Sequence, residues 1–181
     1  MNFLFLAGLG NSEPGHWQSI WYRSMRGARW VAHREWQKPK VEDWVADLER
    51  NLKEVPGPKV LIAHSLGCLL VVEWAKRHSD ASVKGSFLVA PPDVRRPTFP
   101  EGVVGFAPPS PDARPPAPAL VVASTTDNFA SFDSARAAAE AWGAEIADVG
   151  PRGHINLASN LGPWEQGRRL LEQFVARIEA S

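Results

Sequence analysis

The sequence predicts a compact single-domain α/β protein over residues 1–181: a mainly parallel sheet of about six strands, helices on both faces, and no large cap domain. Three observations lead there. Short apolar runs alternate with stretches of helical periodicity along the whole chain, which is the pattern of a parallel sheet covered on both sides. The first run opens into a glycine-rich loop, Ala7 to Gly15, as a strand does when it leaves a sheet. And 181 residues suffice for one domain with a substantial core, not comfortably for two.

Taken in order, Asn2 to Leu6 reads as a buried strand that opens into the glycine-rich loop Ala7 to Gly15. His16 to Arg26 reads as a helix with Trp17, Ile20, Trp21 and Ser24 on one face, and Arg29 to His33 as a short strand. Val41 to Glu54 is amphipathic, with Val41, Trp44, Val45, Leu48 and Leu52 at helical spacing. Lys59 to Ala63 is a strand and Leu66 to His78 a helix. Gly85 to Ala90 and Leu120 to Ser124 are strands, Ser131 to Trp142 an alanine-rich helix, Ala144 to Val149 the last strand and Trp164 to Ile178 the last helix. Between them, Pro91 to Pro118 carries ten of the sixteen prolines. Proline fixes φ and removes a donor, so this segment is read as a stiff surface connection, or as a rim over a site at the end of the preceding strand.

Composition excludes several classes. Apolar residues make up 44% and charged residues 22%, as in ordinary globular proteins. Twenty basic and twenty acidic residues give a net charge of +0, so no overall basic field attracts nucleic acid. The one cysteine, Cys68, permits no internal disulfide framework. The N-terminus lacks the basic region of a signal peptide and is interrupted by Gly8 and Gly10, and no run approaches a membrane span; a cytoplasmic protein with no membrane association is the expectation. No metal or cofactor is expected. The histidines are scattered, no paired-cysteine pattern occurs, and Glu13 stands where a dinucleotide-binding G-x-G-x-x-G starting at Gly8 would need glycine.

The informative stretch is Ala63-His64-Ser65-Leu66-Gly67. A lone serine sits at the join of two buried elements, either as a helix cap or as a nucleophile on a strand-to-helix elbow. The elbow needs small residues two before and two after the serine, as in G-x-S-x-G; here they are Ala63 and Gly67. It would also aim the Leu66 backbone amide, at the helix N-terminus, toward a developing oxyanion. Serine needs a base. His154, in the turn-rich loop Gly150 to Asn156 after the last strand, is the best-placed histidine; His64 should face away from its neighbour Ser65, and His33 and His78 lie in less favourable places. Asp127 and Asp93 each follow a strand and could orient the base, Asp148 less readily; Ser65, Asp127 and His154 occur in the chain order Ser-Asp-His.

Together with Gly8-Leu9-Gly10-Asn11-Ser12, His16-Trp17-Gln18-Ser19, Trp44, Ala123-Ser124, Ala141-Trp142-Gly143-Ala144, Gly153-His154-Ile155-Asn156, Gly162 and Trp164, these motifs resemble, nearly end to end, the YdeN-like serine hydrolases, the group that includes human retinoblastoma-binding protein 9. The resemblance implies an α/β-hydrolase without a large cap, a triad on Ser65, Asp127 and His154, and a second oxyanion amide from Leu9, with Gly10 one step away. Gly10, His16, Trp17 and Asn156 are candidate cleft-lining residues. The chain departs from the group at Asn160, where glycine is frequent. The implied activity is hydrolysis of a small ester or amide, a carboxylesterase-like reaction through an acyl-enzyme, with no cofactor. The rival is a protein-interaction module on a hydrolase fold, its partner unknown; Leu66-Gly67-Cys68-Leu69-Leu70 begins an L-x-C-x-E pattern but lacks the glutamate.

Overall fold

The computed structural model describes residues 1–116 and 118–180; Ala117, in the proline-rich segment, and Ser181 lie outside the described residues. The strands are β1 (Asn2–Leu6), β2 (Ala28–Trp30), β3 (Lys59–His64), β4 (Val83–Val89), β5 (Ala119–Ala123) and β6 (Glu145–Asp148). The helices are α1 (Trp17–Ser24), α2 (Val41–Glu54), α3 (Leu66–Ala75), α4 (Phe132–Trp142) and α5 (Glu165–Glu179), with a 3-10 turn at Leu157–Ser159. The sheet is parallel throughout, in the order β2-β1-β3-β4-β5-β6.

The side-chain period of two along each strand divides the core into two layers. Leu4, Leu6, Leu61, Ala63, Leu88 and Val121 face α2, α3 and α4. Phe5, Val60, Ile62, Phe87, Val89, Leu120 and Val122 face the other way, onto Trp17 and Trp21 of α1 and Leu171 and Phe174 of α5. The chain winds from β1 outward to β2, then returns past β1 to β3 and onward to β6. The order therefore reverses between β1 and β3, and the crevice beyond their carboxyl ends is where such sheets hold ligands. Gly8-Leu9 and Ser65 leave the sheet at that crevice.

Element boundaries differ from the sequence reading for local reasons. His16 is not helical: its Nδ1 accepts from the Gln18 amide and caps α1. Ser131 caps α4 in the same manner, accepting from Ser134 N. The strand expected over 29–33 is Ala28–Trp30, because His33 turns inward to stack on Trp44, ring centroids 4.1 Å apart, and to bond Asp47.

The proline-rich segment runs along the α2–α3 side. Val41 donates to the Val104 carbonyl and Val104 to that of Pro39, both at 3.0 Å. Phe106 meets Trp44 edge-on at 5.8 Å, and Glu73 accepts from the Ala107 amide. None of its described residues lines the crevice at Ser65. Of the two readings the sequence offered, a connection or a rim, the described residues form a connection packed on the α2–α3 side. Among the described residues, no helix is long and apolar enough to cross a membrane.

Candidate active site

Ser65 joins β3 to α3 with φ 53° and ψ −123°, a region sparsely populated by residues other than glycine and held only where the surroundings enforce it. Here the enforcement is visible. The Ser65 amide donates to the Val89 carbonyl at 2.9 Å, tying the elbow to β4, and the Ser65 carbonyl accepts from Cys68 N at 2.9 Å. Gly67 passes so close to the end of β1 that a Cβ there would overlap the Leu6 carbonyl oxygen and stand 2.9 Å from that of Ala7. A Cβ on Gly8 would stand 2.8 Å from Ser65 Cβ. Ala63, in the place where the elbow pattern has its first glycine, keeps its methyl in the core at 0% exposure. Gly67→Ala should therefore lower stability by about 1–3 kcal/mol through backbone displacement, measured by urea denaturation; unchanged stability would mean that the helix can retreat from β1 freely.

His154 reaches Ser65 from the loop after β6. Its Nε2 lies 2.8 Å from Ser65 Oγ, and its Nδ1 lies 2.9 and 2.8 Å from the two carboxylate oxygens of Asp127. The side chains of His154 and Asp127 are 8% and 4% exposed. Since the carboxylate can only accept, Nδ1 carries the proton and Nε2 is free to accept from the serine hydroxyl. The two loops are stitched together by their own polar residues. Ser124 Oγ accepts from Arg152 N, Thr126 Oγ1 from Gly153 N, and the Gly150 carbonyl from Thr125 N. Asp127 also accepts from Phe129 N at 2.7 Å, which fixes its carboxylate.

The other acids are engaged elsewhere. Asp93 pairs with Arg95 Nε at 2.9 Å and accepts from Ser134 Oγ; the hydrogen bond from Arg95 holds its carboxyl below the usual range. Asp148 accepts from Gly150 N.

The crevice encloses about 650 Å3 and is open on one side. Of the candidate lining residues, Gly10, His16 and Asn156 border it, and so does Leu9. Trp17 does not: it is 1% exposed, behind the wall, and donates its indole N–H to the Ile155 carbonyl at 2.8 Å. Sequence reading missed Glu13, Gln37, Phe129 and Leu157 as lining residues. Phe129 rests on the His154 ring at 4.3 Å while 45% exposed, and Leu157 is 40% exposed. A large apolar residue two or three positions after a candidate acid or base, in a loop too polar to bury it, is the signal that could have found both. Gln37 arrives from a distant loop and leaves no such trace.

The Leu66 amide opens α3, and the Leu9 amide has no hydrogen-bond acceptor among the described residues, whereas the Gly10 amide is used by the Trp36 carbonyl at 3.0 Å. The Leu66 amide adjoins Ser65 at the start of α3, and Leu9 lines the same crevice.

Two further imidazoles lie behind His154. His64 is buried and donates from Nε2 to the His154 carbonyl at 3.0 Å, so that nitrogen is engaged by the loop backbone and not by Ser65. His16 packs on it, centroids 4.8 Å apart. Burial pushes the pKa of His64 well below its ordinary value, and burial together with the nearby His154 lowers that of His16 to about 4. A histidine with a depressed folded pKa contributes stability above its unfolded pKa and loses it as pH falls toward the folded one. Stability should therefore fall between pH 6.5 and about 4, by on the order of 3 kcal/mol from His16 alone. His16→Asn, which keeps a capping oxygen and removes the titration, should flatten that part of a pH series of denaturant midpoints; an unchanged slope would assign the loss to other groups.

A six-stranded parallel sheet with a strained serine at its switch point and a Ser-His-Asp contact across the adjoining loops defines an α/β hydrolase. The chain belongs to the serine hydrolase family, whose sequence model matches residues 3–173, and within it to the YdeN-like hydrolases. A structure described as a YdeN-like hydrolase, from Pectobacterium atrosepticum, superposes with a TM-score of 0.84 at 32% identity, covering 98% of this chain and 91% of that one. The ydeN gene product of B. subtilis superposes at 0.80, with 20% identity over 97% of this chain and 100% of that one. Thermogutta terrifontis esterase 2, solved phosphonylated by cyclosarin, shares the fold at 0.69 and 20% identity, over 98% and 82% of the two chains. No match is found among curated proteins.

Proposed function

We propose that the protein hydrolyses a small carboxylic ester or amide through an acyl-enzyme on Ser65. The observation that carries this reading is the 2.8 Å contact between Ser65 Oγ and a His154 Nε2 whose other nitrogen is held by Asp127. His154 takes the hydroxyl proton as Ser65 Oγ attacks the substrate carbonyl. The amides of Leu66 and Leu9 receive the negative charge on the carbonyl oxygen. The imidazolium, stabilised by Asp127, returns the proton to the departing alcohol or amine, leaving the acyl group on Ser65. Water then attacks the acyl carbon as Nε2 takes its proton, the bond to Ser65 Oγ breaks, and Nε2 returns the proton to Oγ, releasing the acid and the free serine. The esterase neighbour supports the reaction class, and the chain has the same fold.

Apolar contact in the crevice comes from Leu9, Phe129 and Leu157, beside polar Asn11, Glu13, Gln37 and Asn156. Such a wall favours short acyl groups. Across a series of p-nitrophenyl esters, kcat/KM should be highest for short chains, and a rise toward long chains would contradict this specificity. The reading as a whole is tested by intact-mass analysis after fluorophosphonate treatment. One adduct, mapped to Ser65, is expected; no adduct, or one elsewhere, removes the proposal. The interaction-module alternative gains nothing from Leu66 to Leu70, since Leu66, Cys68, Leu69 and Leu70 are buried in α3.

A further inference from the structure

We propose that His64 and Trp17 are positioning residues that clamp the backbone of the catalytic histidine from below. The kinetic part of this inference rests on the hydrolase reading above. Two buried side-chain donors reach two consecutive carbonyls: His64 Nε2 to His154 O at 3.0 Å, and Trp17 Nε1 to Ile155 O at 2.8 Å. The acceptors fix the donors' states, because a carbonyl cannot donate; His64 must hold its proton on Nε2. Burial keeps that imidazole neutral, which suits a group whose charge would face the His154 imidazolium during turnover.

The clamp acts on a strained segment. Ile155 has φ 50°, an unfavourable value for a β-branched side chain, and is 0% exposed. A residue held there keeps its conformation only while its surroundings require it. Asp127 restrains the His154 ring, but a ring restraint alone leaves the Cα free to follow the loop. His64 and Trp17 restrain the Cα side, and they do so from the elements that carry the nucleophile. His64 immediately precedes Ser65 on β3. Trp17 opens α1, which is pinned to β1 and β3 by its next residue: Gln18 Nε2 donates to the carbonyls of Leu6 and Ile62, both at 3.1 Å, while Ser12 Oγ donates to Gln18 Oε1 at 2.9 Å. His16 completes the set by packing its ring on His64. The His16-Trp17-Gln18 triplet, which no catalytic step uses, thus acquires a role: it couples the sheet end that holds Ser65 to the loop that holds His154. The 2.8 Å contact between them is set by this frame rather than by loop conformation alone.

The test compares His64→Gln, His64→Leu and Trp17→Phe on a short activated ester, with active sites counted by fluorophosphonate so that rates refer to folded, reactive enzyme. His64→Leu and Trp17→Phe each delete one donor and keep much of the volume; kcat per titrated site should fall about 10- to 100-fold, as ångström-scale misplacement of a reacting group does, with KM changed less than about threefold. His64→Gln restores an N–H donor and should recover most of the loss. A merely structural role would lower melting temperature and the titrated fraction while leaving kcat per site unchanged, and that outcome overturns the proposal, as does a glutamine variant no better than leucine. Should His64→Leu fail to fold, Trp17→Phe decides from the other side of the clamp. Histidine-selective 15N NMR separates this inference from the hydrolase reading, because it needs no turnover. The hydrogen-bonded Nδ1–H of His154 should persist in wild type and His64→Gln, and broaden or vanish in the other two. An unchanged signal in all variants refutes the clamp, whereas wild type that takes no fluorophosphonate refutes only the function.

Discussion

Ser65→Ala should abolish hydrolysis while leaving the protein folded. For the corresponding change in a serine protease the loss of kcat is on the order of a millionfold, and a fall of at least about ten-thousand-fold is expected here. The substitution removes one oxygen and keeps Cβ, so the backbone at φ 53° meets the same steric conditions with alanine as with serine. The elbow's anchors are backbone bonds, Ser65 N to Val89 O and Cys68 N to Ser65 O, and both survive. The lost partner, His154 Nε2, borders the open crevice, where water can replace the hydroxyl. Thermal stability should thus change by little while both turnover and fluorophosphonate labelling disappear. Substantial turnover by a folded alanine variant would show that another residue carries the chemistry. Cys68 is a poor substitute: it is fully buried one turn along α3, its thiol donates to the Val89 carbonyl, and burial raises its pKa well above the ordinary value.

How much of this was legible in the sequence depends on the range of the interaction concerned. The central strands β3 and β5 were readable because each is largely an apolar run buried on both faces, and helix α2 because its apolar face repeats at 3.6 residues. Ser65 was readable because an elbow imposes constraints within two residues on either side, seen as Ala63 and Gly67. His154 followed from the rule that loops after parallel strands share one sheet edge; that rule left Asp93 and Asp127 both open, and the family resemblance pointed to Asp127, which the structure places against His154 as His154 meets Ser65. What stayed hidden depends on contacts between distant segments. Nothing near Pro91 to Pro118 says that Val104 will pair beside Pro39 and Val41, so the sequence left open whether the segment is a connection or a rim over the crevice. Trp17 looked like cleft lining because His16 is; one position on, the indole turns behind the wall to a carbonyl 138 residues away. His64 was set aside as a base by strand alternation; its bond to His154 O closes across 90 residues and has no local signature.

The choice between the two acids gives the second large effect. Asp127→Asn should reduce kcat/KM at least a hundredfold, and losses of about ten-thousand-fold accompany the equivalent change in a serine protease. The cause is the tautomer. A carboxylate accepts from His154 Nδ1–H at 2.8 and 2.9 Å and leaves Nε2 bare toward Ser65. An asparagine that turns its amide nitrogen to Nδ1 can donate there; the proton then moves to Nε2, and Ser65 loses its base. If the asparagine presents its oxygen instead, the tautomer survives but the imidazolium formed during attack loses its counter-charge. Either way the fold should hold, because the side-chain oxygen can still accept from Phe129 N. Asp93→Asn should cost less than about threefold. Its carboxylate is spent on Arg95, whose side chain is 61% exposed, and exposed pairs of this kind contribute at most about 1 kcal/mol; its backbone bond to the Phe129 carbonyl is untouched by the change. Both variants would be measured on one activated ester, with circular dichroism to verify folding. Raising pH should rescue neither arrangement of Asp127→Asn fully, since deprotonating solvent restores no charge beside His154. A large loss for Asp93→Asn beside near-normal activity for Asp127→Asn would move the acid one strand earlier, to the end of β4, and would require the loop after β5 to swing away from His154 in the working enzyme.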